Sequence, residues 1–353
     1  MTNIVSKNPL VIKIIEGDHS PEVLEMLFAR ELPFTEEEYL ECLVFFLNDQ
    51  QRKADAMKML REVAESAKSS YVDRSNANHK TAYYVLLEAL NFKNETIVGK
   101  IIRNQLFPPE FLYKIAENGT FTMLERLLEN QIKLIAYPEI LDKMDNNPEA
   151  DNFIKGKTKE IRDYYLADQS KPEISSEDVM RDLKELAEKS EKKQESSEDS
   201  GEEQDESLEV EEEKTLTTLQ RISEMSVSER IKLALTGARA DRMILIRDPN
   251  KMVSLAVIHS PKLTMDEVSL VVKNRSLSLE LITEITKNRE WTKNYSIILE
   301  LSHNPKTPIK NVLAYLNRLY ARDLKSLTRD KNVSPVVRKM AQKLQRDKEG
   351  GKQ

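Results

Sequence analysis

Chemistry in this chain has few residues to start from. The four histidines, His19, His79, His259 and His303, lie far apart, and none falls in the HExxH or paired-ligand spacing that holds a metal. Cys42 is the single cysteine, so no intrachain disulfide and no cysteine-rich zinc or iron–sulfur site can form. Its setting, Tyr39-Leu40-Glu41-Cys42-Leu43-Val44, is an apolar helical one and reads as a buried thiol rather than a nucleophile. His259 follows Ala256-Val257-Ile258 and reads as a helix-end or core histidine, because no partner is spaced to make it a base. Leu235-Thr236-Gly237-Ala238 is a helix break, not a phosphate-binding loop. The residues therefore point to no catalytic group, no metal and no cofactor.

What remains is charge, and it is unevenly placed. Of the 353 residues, 214–353 carry 27 Lys and Arg against 14 Asp and Glu, a net of +13. Residues 188–213 carry thirteen acids against three lysines, a net of −10. Within the basic part, Arg247, Lys273, His303 and Arg329 each stand immediately before a short polar residue, Asp248, Asn274, Asn304 and Asp330. Repeats bring equivalent positions into a column. Two readings of that column stand. A cation in the last turn of a helix favours the carbonyl end of its dipole, which is purely structural. Alternatively, with Arg318 and Arg322 nearby in sequence, it forms an edge for an anionic partner such as a phosphate backbone. Trp291, in Asn288-Arg289-Glu290-Trp291-Thr292-Lys293-Asn294, is expected at an inter-helix turn, either as a packing wedge or as an exposed partner contact.

The elements that would position these residues are short helices. Glycine is scarce, at 8 residues, and apolar residues recur at spacings of three and four. Four segments line up, beginning Arg247-Asp248-Pro249-Asn250, Lys273-Asn274-Arg275-Ser276, His303-Asn304-Pro305-Lys306 and Arg329-Asp330-Lys331-Asn332, with offsets of 26, 30 and 26 residues. Each precedes an apolar stretch: Leu255 to Ile258; Leu281, Ile282 and Ile285; Val312, Leu313, Leu316 and Leu319; and Val336, Val337, Met340 and Leu344. Ser226…Glu229 and Thr264…Glu267 have capping-box spacing, and Thr307-Pro308 and Ser334-Pro335 place a hydroxyl cap before a first-turn proline. Asp248, Asn274, Asn304 and Asp330 are expected to hold the turns by accepting backbone N–H bonds. The spacing predicts an all-α chain, with an α-solenoid of short helical repeats over 215–347 and a disordered tail over 348–353.

Residues 1–167 read as an irregular helical-repeat domain with helices opening at Ser20-Pro21 and Thr35-Glu36, and others at about 51–67, 79–91, 95–105, 109–117, 120–129 and 137–145. Residues 168–214 read as an acidic, largely disordered linker with a short helix at 177–188, where Val179, Met180, Leu183, Leu186 and Ala187 form one stripe. That linker is a spacer or, being opposite in charge, an intramolecular occupant of the basic domain.

The run His303-Asn304-Pro305-Lys306-Thr307-Pro308-Ile309-Lys310-Asn311-Val312-Leu313 resembles the asparagine-proline, threonine-proline turn of leucine-rich-variant and HEAT-like repeats. The longer run from Ser228 to Asn250 is similar to uncharacterised bacterial helical-repeat proteins. The resemblance spans about 226–346 and implies a fold, not an activity. The iron–sulfur cluster of the founding leucine-rich-variant protein is not implied here, because one cysteine cannot hold it.

A non-catalytic scaffold for a protein partner is the first expectation, and nucleic-acid binding by the basic domain, autoinhibited by the acidic linker, is the second. An enzyme acting on nucleic-acid bases is third, since no general base stands out. No signal peptide and no apolar run of membrane length is evident, so the expected place is the cytoplasm, without membrane insertion. The sequence sets no oligomeric state.

Overall fold

A computed structural model describes residues 6–47, 51–74, 76–166, 218–275 and 277–350. The acidic run and the 177–188 stripe lie outside the described residues. The chain divides into two compact units, Met1–Ala167 and Asp168–Gln353, and the described residues of both are helical, with no strand.

The helices are short because their caps are frequent. Asn8, Thr35, Asn78, Asn94 and Asp151 in the first unit, and Ser226, Asn250, Thr264, Ser278 and Asn294 in the second, each accept a first-turn N–H on a side-chain oxygen. Thr35, Ser226 and Thr264 complete reciprocal capping boxes with Glu38, Glu229 and Glu267. At Gly17 the chain leaves the Pro9–Glu16 helix with φ of 83°, a left-handed turn that favours glycine.

In the first unit two rows of helices pack in succession. One row is Glu65–Val72, Glu95–Arg103, Phe121–Leu128 and Asn152–Ile161; the other is His79–Asn91, Pro109–Asn118 and Glu139–Asp145. The expected helix at 51–67 is two, Lys53–Glu62 and Glu65–Val72. The break has a tertiary cause: Val63 is extended and buried, and the Ala64 N–H donates to the Glu36 carboxylate at 2.9 Å, so a side chain from another helix opens the new one. The helix expected to run to 105 stops at Arg103, where Asn104 turns extended. Pro9–Glu16, Gln131–Ala136 and Asn152–Ile161 were not anticipated.

In the second unit Val227–Thr236, Lys251–Ile258 and Leu279–Lys287 pack in succession, as do Met265–Lys273, Tyr295–His303 and Ala321–Arg329. Apolar residues three and four apart, such as Leu281, Ile282 and Ile285 or Ile297, Ile298 and Leu301, fill the space between them. The longest offset, between Asn274 and Asn304, contains an extra helix, Arg289–Lys293, where a turn was expected around Trp291. Three other details differ. Pro308 is itself the cap of Ile309–Leu316, and Thr307 is buried without a hydrogen bond at its hydroxyl, so it caps nothing. Pro335–Gly350 meets its neighbours through Val337 and Ala341, leaving Val336 and Met340 exposed. That helix also runs past 347, with Lys348 Nζ donating to Asn317 O at 3.0 Å and Leu319 O at 2.6 Å.

Candidate functional site

The four-turn column is built from backbone outward. Asn274, Asn304 and Asp330 are C-caps with ψ of 106°, 119° and 112°, and Asp248 lies just beyond the end of Arg239–Leu245. Three side chains accept the N–H two residues on: Asp248 from Asn250 at 2.8 Å, Asn304 from Lys306 at 3.0 Å and Asp330 from Asn332 at 2.9 Å. Their second polar atoms reach groups distant in sequence. Asn304 Nδ2 donates to Val272 O at 3.2 Å, and Asp330 Oδ2 meets His303 Nδ1 at 2.9 Å and Arg275 at 3.6 Å. Asp248 Oδ2 stands 3.4 Å from the Arg230 guanidinium, with both side chains fully buried. Burial would raise the Asp330 carboxyl, but the His303 bond, the Asn332 amide and the Arg275 charge hold it below its ordinary value.

Sequence reasoning missed that the first unit uses the same device. Asn104 Nδ2 donates to Val72 O at 2.9 Å, Asn130 Nδ2 to Ile102 O at 2.9 Å and Asn147 Nδ2 to Ala116 O at 2.8 Å, each reaching 28 to 32 residues back. A signal was present: Arg103-Asn104 with Pro108 four residues on has the pattern of His303-Asn304 with Pro308.

The expected basic column resolves into unlike members. Arg247 is half-buried and donates to Met243 O of its own helix at 2.8 Å, and His303 faces Asp330. Lys273 and Arg329 are exposed. Arg318 clamps the end of Arg289–Lys293 through Thr292 O at 2.6 Å and Lys293 O at 3.0 Å. The same move recurs: Lys262 donates to Thr236 O at 2.5 Å, Lys306 to Leu277 O at 2.6 Å, Lys100 to Ser69 O at 3.2 Å and Arg126 to Glu95 O at 2.8 Å. Thr236 and Ser69 lie in the last turns of their helices, where carbonyls lack intrahelical donors at the negative end of the dipole. Leu277 instead precedes a helix, and Glu95 opens one. In each case a long cationic side chain from a later segment satisfies a backbone carbonyl. Part of the basic charge is thus structural. On the last two helices Lys325, Arg329, Lys339, Lys343 and Arg346 remain exposed.

Beside Arg318 lies the most exposed aromatic group of the second unit's described residues. Tyr320 is 61% exposed, and its ring sits 4.7 Å from that of Tyr295. The Tyr295 hydroxyl accepts the Tyr320 backbone N–H at 3.1 Å and donates to Asp323. Burial, and then the bond to Asp323, raises the Tyr295 phenol. Arg322 places its guanidinium 5.9 Å from the Tyr320 ring centre. Trp291 is half-buried, its backbone N–H bonded to the cap Asn288 at 3.3 Å.

The chain matches no family model, no curated protein and no solved structure. Its site must be read from its own residues. His259 is a helix C-cap, its imidazole lowered by burial, and Cys42 is fully buried, with burial and then Glu41 pushing its thiol up to about 12. Among the described residues no group of three His, Cys, Asp or Glu is placed to hold a metal, and no helix is long and apolar enough to cross a membrane.

Proposed function

We propose that the second unit is a non-catalytic scaffold in the cytoplasm, an α-solenoid of the HEAT-like or leucine-rich-variant kind, that docks a protein partner on its Tyr295–Tyr320 surface. One observation carries this reading: an aromatic ring stands 61% exposed yet already fixed by a second tyrosine, a backbone bond and a neighbouring arginine. A pre-ordered aromatic beside an arginine loses little freedom on binding, which is the composition of an interface hot spot. The engagement of Arg247, His303 and Arg318 within the fold supports it by weakening a continuous phosphate-tracking edge.

The second reading is phosphate-backbone binding, favoured by the exposed cations of the last two helices and the net of +13 over 214–353. Affinity capture with the wild-type chain and Tyr320→Ala, beside fluorescence anisotropy on DNA and RNA at about 50 mM salt, separates the two. Protein species retained by wild type and lost with Tyr320→Ala support docking. Salt-sensitive nucleic-acid binding that ignores Tyr320→Ala but falls with Lys339→Glu and Lys343→Glu supports the second reading. Deleting 190–213 then tests autoinhibition, which requires tighter nucleic-acid binding.

A further inference from the structure

The Asn152–Ile161 helix closes the described part of the first unit and continues as a wider π turn, Arg162–Leu166. Ile154, Thr158 and Ile161 are its buried side, and Lys155 and Lys159 are exposed on another. A third side is not the polar one that water favours. Phe153 stands 48% exposed and Tyr164 73% exposed, with Gly156, Lys157 and Glu160, also exposed, between them. Steps of three, four, seven and eleven residues from Phe153 put these five on one helical face. Tyr164 is held by Tyr165, whose ring meets it edge-on at 4.8 Å.

The glycine and the charges say what covers this face. A Cβ at Gly156 would meet nothing within 4 Å, so packing inside the chain gives no reason for a residue that costs a helix interior about 1 kcal/mol relative to alanine. Glycine serves where a second backbone must approach closely. The order of side chains then reads alike in both directions: Phe153, Lys157, Glu160, Tyr164, with steps of four, three and four. Lay a copy of the helix antiparallel across it, with the two-fold axis between Thr158 and Lys159. Phe153 then stands opposite the partner's Tyr164, and Lys157 opposite the partner's Glu160. Within one copy Lys157 and Glu160 pair in the open at 2.6 Å, so each can turn to the other copy with little added desolvation. A surface of one charge sign would match only half of this pattern, whereas a second copy matches all of it.

We infer that the chain pairs with a second copy of itself through this face, as antiparallel helices about a two-fold axis. Some 17 Å of one helix face keeps the contact under roughly 1,200 Å², the class of weak and reversible association, expected at about 10–100 μM. The inference stands apart from the Tyr320 surface, which lies in the other unit, and either can fail without the other.

Light scattering on the full chain is expected to show a mass that rises from monomer toward dimer between about 5 and 500 μM. Phe153→Ala and Tyr164→Ala, at exposed positions, weaken association at least about tenfold, with circular dichroism reporting that the helices persist. Lys157→Glu and Glu160→Lys each set like charges across the axis twice, and each weakens association by about as much. An equimolar mixture of those two variants associates again, because every charge then meets its opposite, which no rearrangement within one chain can achieve. Gly156→Gln raises the thermal midpoint, since its side chain clashes with nothing in the monomer, yet weakens association. A chain that stays monomeric throughout, the result if another segment of it or a different protein covers this face, overturns the inference. So does association that neither charge variant weakens, or that their mixture fails to restore.

Discussion

Replacing Asn304 with alanine tests the turn column directly. The side chain is buried and makes two hydrogen bonds, accepting from Lys306 N–H at 3.0 Å and donating to Val272 O of the Met265–Lys273 helix at 3.2 Å. At about 1 kcal/mol for each net hydrogen bond, with a buried carbonyl left lacking a donor, Asn304→Ala lowers stability by about 2–3 kcal/mol. Asn304→Asp keeps the acceptor, loses the donor and buries a charge beside the Val272 carbonyl, so it costs no less. Trp291 is the only tryptophan and is half-buried in this unit, so its fluorescence during urea unfolding reports on the second unit. Asn332→Ala, at an exposed position of the next turn, is the control and is expected to cost under about 0.5 kcal/mol. If Asn304→Ala moves the Trp291 transition no more than Asn332→Ala, the bond to Val272 contributes nothing, and the column is only a local turn device.

Lys133 is buried, donating to Asn104 O and Phe107 O at 3.2 Å, and burial brings its ammonium down to about 8. Between that value and the ordinary 10.5 the unfolded chain holds a proton the folded chain has released, so stability rises with pH there; relative to Lys133→Met the gain from pH 7 to 10.5 approaches about 3 kcal/mol, read from urea unfolding by circular dichroism. A wild-type curve parallel to that of Lys133→Met contradicts this. Arg242 and Glu267 form a buried pair, Nε to Oε1 at 3.0 Å and a terminal nitrogen to Oε2 at 3.1 Å. Arg242→Ala leaves the buried carboxylate without its counter-charge, with only the Thr264 capping bonds, at a cost of about 3–5 kcal/mol on the Trp291 transition. Arg242→Met with Glu267→Gln, which removes the charge and keeps an acceptor for the Thr264 cap, recovers part of that loss. His303→Ala removes the partner that holds down Asp330, so that carboxyl titrates at higher pH by carbon-detected NMR; an unmoved titration means Asn332 and Arg275 suffice.

Much of the helical pattern is local and was legible. Ser226…Glu229 and Thr264…Glu267 fold into the capping boxes their spacing implies, because both partners lie within one turn. The turn residues Asp248, Asn304 and Asp330 accept the N–H two residues on for the same reason. The break at Val63 was not legible, since the Glu36 carboxylate that fixes it lies 28 residues away. Nor was the basic column: Arg247 and Arg329 are both arginines before an aspartate, yet one lies on its own helix end and the other is exposed to solvent.

Composition, periodicity and caps by themselves determined that the described chain is helical, that its helices are short and that a turn recurs every 26 to 30 residues. These are properties of neighbours within a turn or two, where backbone geometry sets who meets whom. Only the tertiary structure decided which carbonyl each lysine or arginine reaches, how Tyr295 meets Tyr320, and that Lys68 and Glu88 meet as a buried pair. Those outcomes depend on the packing of one helix on another distant in sequence, and a pattern within a single helix carries no record of what its neighbour presents.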